Sequence, residues 1–222
     1  MTTEVAPSMP NTARVLSQLR VLTVLDAANR AGISPMTASR LHGIVYMSNA
    51  LSPVWDLAPL TPKLLKFFGG PYDPDLQHNI DLLVGRGMVL AREVRYEEHD
   101  RDGWRVEASY SLNDNLARKV LSAAARFPDE TYAAQFVLEL CLALSALPDE
   151  ILDRAFTLDA TYSSLASSPN SIVSLAGSDH SNRSARAARS IGEAVTPTAP
   201  MNPAEEVHLY LRHLYRIAGG SA

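Results

Sequence analysis

The hydrophobic pattern of this chain changes its period near residue 88. The helix pattern that Pro74 opens gives way to residues 88–97 and 104–112, which alternate apolar and polar. Such alternation indicates half-buried strands, and Asp102-Gly103 between them is the turn chemistry of a β-hairpin. A helix that leads directly into a two-stranded ribbon has the order of elements of a winged helix.

Helices are predicted on the N-terminal side of this ribbon. A first helix starts at Asn11 or Thr12 and stops before Gly32. Its apolar stripe of 3.6-residue period consists of Val15, Leu19, Leu22 and Leu25. A second helix covers about 35–51, with Ser34 as its N-cap, and a short one covers about 62–68.

Helices are also predicted after the ribbon, over about 113–127, 128–147 and 149–156. The second of these is strongly apolar, so we expect it to be the most buried helix of the chain. Residues 157–203 contain ten serines and one aromatic residue, a composition that predicts a loose segment with at most a short helix near 184–194.

A last helix is predicted over 203–219, with Pro203 at its start. Its apolar face comprises Val207, Tyr210, Leu211 and Leu214. Such a face docks either on a partner or on its own chain, and because these side chains resemble core residues we expect the helix to dock on its own chain. The sequence thus predicts a mainly α fold: a winged-helix-like helical core with one β-hairpin at 11–112, a helical extension at 113–156, a loose linker at 157–202 and a C-terminal helix at 203–219.

The charge pattern bears on nucleic-acid binding. The net charge is −4, and the helix that would enter a DNA groove carries Asp73, Asp75 and Asp81 against Arg86 alone. The wing at 92–107 has four arginines against six acids. Since phosphate neutralisation provides most nonspecific DNA affinity, an acidic helix and wing indicate protein binding, with a DNA-binding regulator as the disfavoured alternative.

Catalytic and metal-binding motifs are not found. Cys141 lies among leucines and is interpreted as a core thiol. Glu205 and His208 have the spacing of one di-iron half-motif, but the second half is missing from the sequence. We therefore predict a protein that is not an enzyme and has no cofactor and no metal.

Two groups of residues remain candidates for partner binding. His42, Tyr46 and Asn49 form a polar strip on the second helix, interpreted either as a partner surface or as a semi-buried hydrogen-bonded network. Arg183, Arg186 and Arg189 recur every three residues without an intervening acid. They form either a solvated strip or a dock for an acidic partner or a phosphate backbone.

Localisation is inferred from what the sequence lacks. The first ten residues have no basic-then-apolar order typical of a secretory signal, and one cysteine cannot form an internal disulfide. Apolar runs are too short for a membrane helix. A cytoplasmic protein without a membrane partner is expected.

Residues 41–89 contain a series of short motifs. They are Leu41-His42, Tyr46, Leu51, Trp55, Lys66, Gly70-Pro71-Tyr72, Pro74, Gln77, Leu82-Leu83-Val84 and Gly87. With these residues the segment resembles the middle component of bacterial ABC-three-component defence systems, which overlap the Lamassu antiphage systems. The same layout is similar to the Panacea antitoxin domain.

The first resemblance implies a non-catalytic adaptor that bridges an SMC-like ABC ATPase and an effector, commonly a nuclease, and meets DNA only through the complex. The second implies an antitoxin that neutralises a toxin. The partner-binding candidates from all these considerations are His42, Tyr46, Tyr72, Asp73, Gln77, Arg183, Arg186 and Arg189.

Overall fold

In the first half of the chain, helices are followed by the predicted β-hairpin, as expected of a winged-helix-like core. The computed structural model describes residues 11–59, 63–67, 70–99, 103–164, 172–175, 182–196 and 201–219. Its first eight elements are α1 (Asn11–Arg30), β1 (Met36–Thr37), α2 (Ala38–Leu51), β2 (Lys63–Phe67), β3 (Gly70–Tyr72), α3 (Pro74–Gly85), β4 (Val89–His99) and β5 (Gly103–Leu112). A 3₁₀ turn over Ser52–Trp55 follows α2.

The predicted hairpin is confirmed and belongs to a three-stranded antiparallel sheet of order β1-β5-β4. Met36 pairs with Tyr110, and Val89 pairs with Leu112 at the base of the hairpin. Strand β1 was not predicted. Because β1 occupies residues 36–37, α2 begins later than expected and is capped by Thr37, whose hydroxyl accepts from the Arg40 amide, instead of by Ser34.

The predicted short helix over 62–68 is wrong. Residues 63–67 form β2, which pairs on one side with β3 and on the other with β6 (Ile172–Ser174). A short apolar run does not distinguish a helix from a strand. Here one of the two strands that pair with β2 lies more than a hundred residues further along the chain.

The predicted helical extension is confirmed as α4 (Asp114–Ala124), α5 (Pro128–Ser145) and α6 (Asp149–Leu158). Helix α1 packs against α3, α4, α5 and β5. Residues 21–25 are therefore all buried, whereas Val15 of the predicted stripe is exposed. The buried apolar residues of core and extension belong to one cluster.

The segment predicted as a loose linker is packed where the structure describes it. Asp159, Thr161 and Tyr162 are buried after α6, and the short helix expected near 184–194 is α7 (Arg183–Val195). The last helix, α8 (Pro203–Ile217), packs against α5, α6 and α7. The predicted apolar face of α8 is buried on the chain's own core, which confirms self-docking.

The most buried helix is α2, so the expectation for α5 is wrong. Eleven of the fourteen residues of α2 are buried, against seven of the eighteen in α5. Polar residues such as His42 and Asn49 conceal this burial in the sequence, because their polar groups are satisfied inside the protein. Among the described residues, no helix is long and apolar enough to cross a membrane.

Helices α2 and α6 approach each other most closely at Gly43. A Cβ atom at this position would overlap the ring of Phe156. By contrast, a Cβ at Gly85, near the end of α3, would meet no atom within 4 Å. The two glycines therefore form a matched pair for testing the packing.

We expect Gly43→Ala to lower the free energy of unfolding by about 1–3 kcal/mol, since overpacking forces neighbouring groups to shift. Gly85→Ala should be neutral or slightly stabilising because alanine has the higher helix propensity. Urea titrations followed by circular dichroism compare the two variants. Equal midpoints for Gly43→Ala and wild type would show that α2 and α6 are not in contact.

Candidate functional site

A fully buried carboxylate, that of Asp159, is the most concentrated polar feature of the structure. Its Oδ1 accepts from the Tyr210 hydroxyl at 2.7 Å, and its Oδ2 accepts from the Ser184 hydroxyl at 2.6 Å. The Tyr46 hydroxyl and the amides of Thr161 and Tyr162 also donate to Oδ2. These six residues are called the Asp159 cluster.

The Asp159 cluster joins four parts of the chain. Tyr46 comes from α2, Ser184 from α7 and Tyr210 from α8, while Asp159 follows α6. The Tyr210 hydroxyl also accepts from the Ala160 amide at 3.0 Å. In the described part of the chain no cation pairs with Asp159, so the carboxylate is stabilised by neutral donors.

Burial determines what this cluster can do. Desolvation raises the pKa of the Tyr46 and Tyr210 hydroxyls, and it raises the pKa of Tyr162 to about 12. The phenols are thus protonated donors at neutral pH. Since Asp159 has no exposed surface, a substrate has no access to it, and the arrangement is structural.

We expect Tyr210→Phe to lower the free energy of unfolding by about 1–3 kcal/mol, because a carboxylate oxygen and an amide would each lose a buried partner. Tyr132→Phe is the control, since Tyr132 is exposed. Thermal or urea unfolding measures both variants. If Tyr210→Phe and Tyr132→Phe lower the free energy of unfolding equally, the Asp159 cluster does not hold α8 in place.

A second polar cluster lies between α2 and α3 and contains four of the predicted partner-binding residues. His42 Nδ1 accepts from the Asp73 amide at 3.2 Å, and its Nε2 lies 3.1 Å from Gln77 Oε1. The Tyr72 ring stacks on the imidazole with centroids 4.8 Å apart. A backbone N–H can only donate, so Nδ1 is the unprotonated nitrogen that accepts from Asp73. The imidazole proton is therefore on Nε2, which donates to the Gln77 side-chain oxygen.

Asp73 has a separate role as the N-cap of α3. Its Oδ1 accepts from the amides of Asp75 and Leu76 at 2.9 and 3.2 Å. Desolvation raises the pKa of the Asp73 carboxyl, while these two backbone donors act in the opposite direction. The residue therefore fixes the start of α3 at Pro74.

The structure corrects the partner-surface interpretation of two residues. His42 and Tyr46 are buried, so they support contacts within the chain, as the alternative interpretation of a hydrogen-bonded network predicted. Tyr72, Asp73 and Gln77 are partly exposed beside them. Tyr46 belongs to the Asp159 cluster and not to the His42 group.

The three arginines of α7 do not act alike. Arg183 and Arg186 are exposed. Arg189 instead donates to the Pro53 carbonyl and lies 3.4 Å from Asp56 Oδ1, which attaches α7 to the 3₁₀ turn. The predicted three-residue basic strip is therefore reduced to two exposed arginines at its amino end.

The wing carries exposed apolar side chains. A bulge between Arg92 and Arg95, with Glu93 at φ +54°, interrupts the ladder of β4 and β5. Val94 and Tyr96 next to it are 58% and 71% exposed. A bulge redirects the side chains around it, and here it leaves two apolar groups in solvent.

Among the described residues there is little support for a metal site or for a reactive thiol. No group of three or more His, Cys, Asp and Glu side chains converges there. Glu205 caps α8 by accepting from the Asn202 amide, while His208 lies 3.5 Å from Glu139. Cys141 is buried, and desolvation raises its pKa to about 12.

Cys141 should react with alkylating reagents only after unfolding, because the buried thiol does not ionise at neutral pH. The unfolded thiol ionises from about pH 9, so the free energy of unfolding should fall between pH 9 and 12. Iodoacetamide labelling with and without urea checks the first point, and Cys141→Ala should weaken the alkaline loss. Rapid labelling of the folded protein would contradict both the protection of Cys141 and the expected alkaline loss of stability.

Comparison of the chain with protein-family models, with curated proteins and with solved structures finds no match. The function therefore has to be argued from the residues and the geometry above. Neither the carboxylate at position 159 nor its partners at 184 and 210 carried a local signal in the sequence. His42 was singled out from the polar strip on the second helix, and His42, Tyr72 and Gln77 are also among the residues that carry the resemblance.

Proposed function

We propose that the chain is a non-catalytic adaptor subunit of a bacterial antiphage defence complex in the cytoplasm. It couples an SMC-like ABC ATPase to an effector such as a nuclease. The resemblance of residues 41–89 to the middle component of ABC-three-component systems suggests this role. The observation that carries it is the pair of exposed apolar side chains on an acidic wing.

The geometry of the wing suits contact with a protein. Strand β1 pairs with β5 only at Ser109 and Tyr110. From Arg95 onward β4 and β5 pair only with each other in the described part of the chain, so they form a two-stranded ribbon. Exposed Tyr96 on such a ribbon is a side chain of the kind that dominates binding energy in protein interfaces.

The surfaces that a winged helix uses for DNA argue against a regulator. Asp75 and Asp81 are exposed on α3, and Arg86 donates to the Gln18 side chain at 2.7 Å. Four arginines face six acids along the wing. DNA would therefore be reached through the other subunits of the complex.

The interior location of the polar clusters supports a binding role over catalysis. In the described residues, the carboxylate of Asp159 and the imidazole of His42 each have their hydrogen bonds filled from within the chain. Both groups help to fix the positions of helices. The surface that remains for function is the wing and the helix faces around it.

The test is co-expression with the proteins encoded beside the gene, followed by affinity purification and titration. A long coiled-coil ATPase or the effector should co-purify with the wild-type chain. The double variant Val94→Ser, Tyr96→Ser should bind at least about tenfold more weakly, since losing an aromatic hot spot costs about 2 kcal/mol. Val15→Ser, an exposed valine on α1, is the matched control.

Other results would support one of the two alternative functions, an antitoxin or a DNA-binding regulator. Capture of a single toxin whose activity is neutralised would replace the adaptor with a Panacea-type antitoxin. Submicromolar, site-specific binding to duplex DNA by the isolated chain would replace it with a regulator. Unchanged ATPase binding by the wing variant would refute the wing as the contact surface.

A further inference from the structure

A groove of about 380 Å³ runs between α1, α4 and α5. Its floor is made of small and aliphatic side chains, Ala27, Leu121, Ala134 and Leu138. Its rim is polar, and the rim charges are paired within the chain: Arg118 lies 3.0 Å from Asp26. Because the floor is apolar and the charges of the rim pair with each other, the groove favours an apolar occupant over an ion.

The groove exists because α4 is incompletely covered. Helices α4 and α5 each pack on α1 but make few contacts with each other. In α4 only Ala117 is buried, although the apolar and polar residues of this helix lie on opposite faces. Leu121, on the groove side, is left half-buried.

An exposed aromatic side chain stands at the end of this groove. Phe127, the N-cap of α5, is 63% exposed. Ala125 and Thr131, on either side of Phe127 in the chain, both line the groove, while Phe127 itself does not. The Thr131 hydroxyl lies within hydrogen-bond distance of the Ala125 and Phe127 carbonyls, which holds this corner rigid.

The charges around this corner permit a second copy to approach. From α4 to the start of α5 three bases face three acids, so the net charge is zero. They are Arg118, Lys119, Arg126, Asp114, Asp129 and Glu130. The wing and α3, in contrast, are net negative, and two copies meeting there would repel each other.

We infer that two copies of the chain pair through this corner, with Phe127 of each copy inserted into the α1–α4–α5 groove of the other. A projecting group beside a cavity that accepts it is self-complementary. Such a surface forms a closed, two-fold pair in which each copy contributes the same residues. Burial of an exposed phenylalanine on each side drives the association.

The test is the mass of the full chain in solution, measured by size-exclusion chromatography with light scattering from ~1 µM to ~1 mM. Wild type should approach twice the 24.1 kDa of one chain. Phe127→Ser, which removes the inserted group, and Ala134→Trp, which fills the groove, should both shift the dissociation constant at least about tenfold toward monomer.

Tyr96→Ser is the control, because it removes a comparably exposed aromatic group from the wing and should leave the pair intact. Thermal unfolding of each variant confirms that it is folded. Because Phe127 is exposed, its substitution should not lower stability. A wild-type mass of one chain at every concentration overturns the inference, as does unchanged pairing of Phe127→Ser or growth beyond two copies.

The pairing does not rest on the adaptor proposal. Wing variants test the ATPase contact, and corner variants test the pairing, so each set is the control for the other.

Discussion

The buried carboxylate of Asp159 is the interaction on which the arrangement of the C-terminal half depends. Removing a carboxylate from water costs several kcal/mol unless its lone pairs are filled. Here they are filled by two phenols, a serine hydroxyl and two amides. Two of these donors, Ser184 and Tyr210, come from α7 and α8, so each of these helices is tied to the carboxylate by a directed hydrogen bond in addition to its apolar burial.

Helix α2 is where both polar clusters meet the core. On one side His42 connects it to α3 through Gln77, and on another Tyr46 connects it to Asp159. The polar side chains of α2 in both clusters therefore make their hydrogen bonds inside the protein. Among the described residues, large exposed apolar side chains lie on the wing, at the α4–α5 corner and singly elsewhere, as with Val15 on α1.

The sequence allowed the helices and the hairpin to be predicted, because their periodicity is local. The pairing of β2 with β6 and the burial of α2 could not be predicted, since each depends on contacts remote in sequence. The segment after residue 157 was misjudged for a related reason. Its many serines and single aromatic residue suggested a loose segment, yet Thr161 and Ser184 are buried partners of a carboxylate.

The location of the Asp159 donors has a consequence for how the chain is made. Tyr46 precedes Asp159 in the chain, whereas Ser184 and Tyr210 follow it, so a nascent chain that already contains Asp159 still lacks two of the hydroxyls that satisfy it. Until α8 leaves the ribosome, burying the carboxylate is unfavourable and this part of the core stays open to water. Closure of this part of the core therefore has to wait for α7 and α8, and contacts between residues so far apart in sequence slow that step.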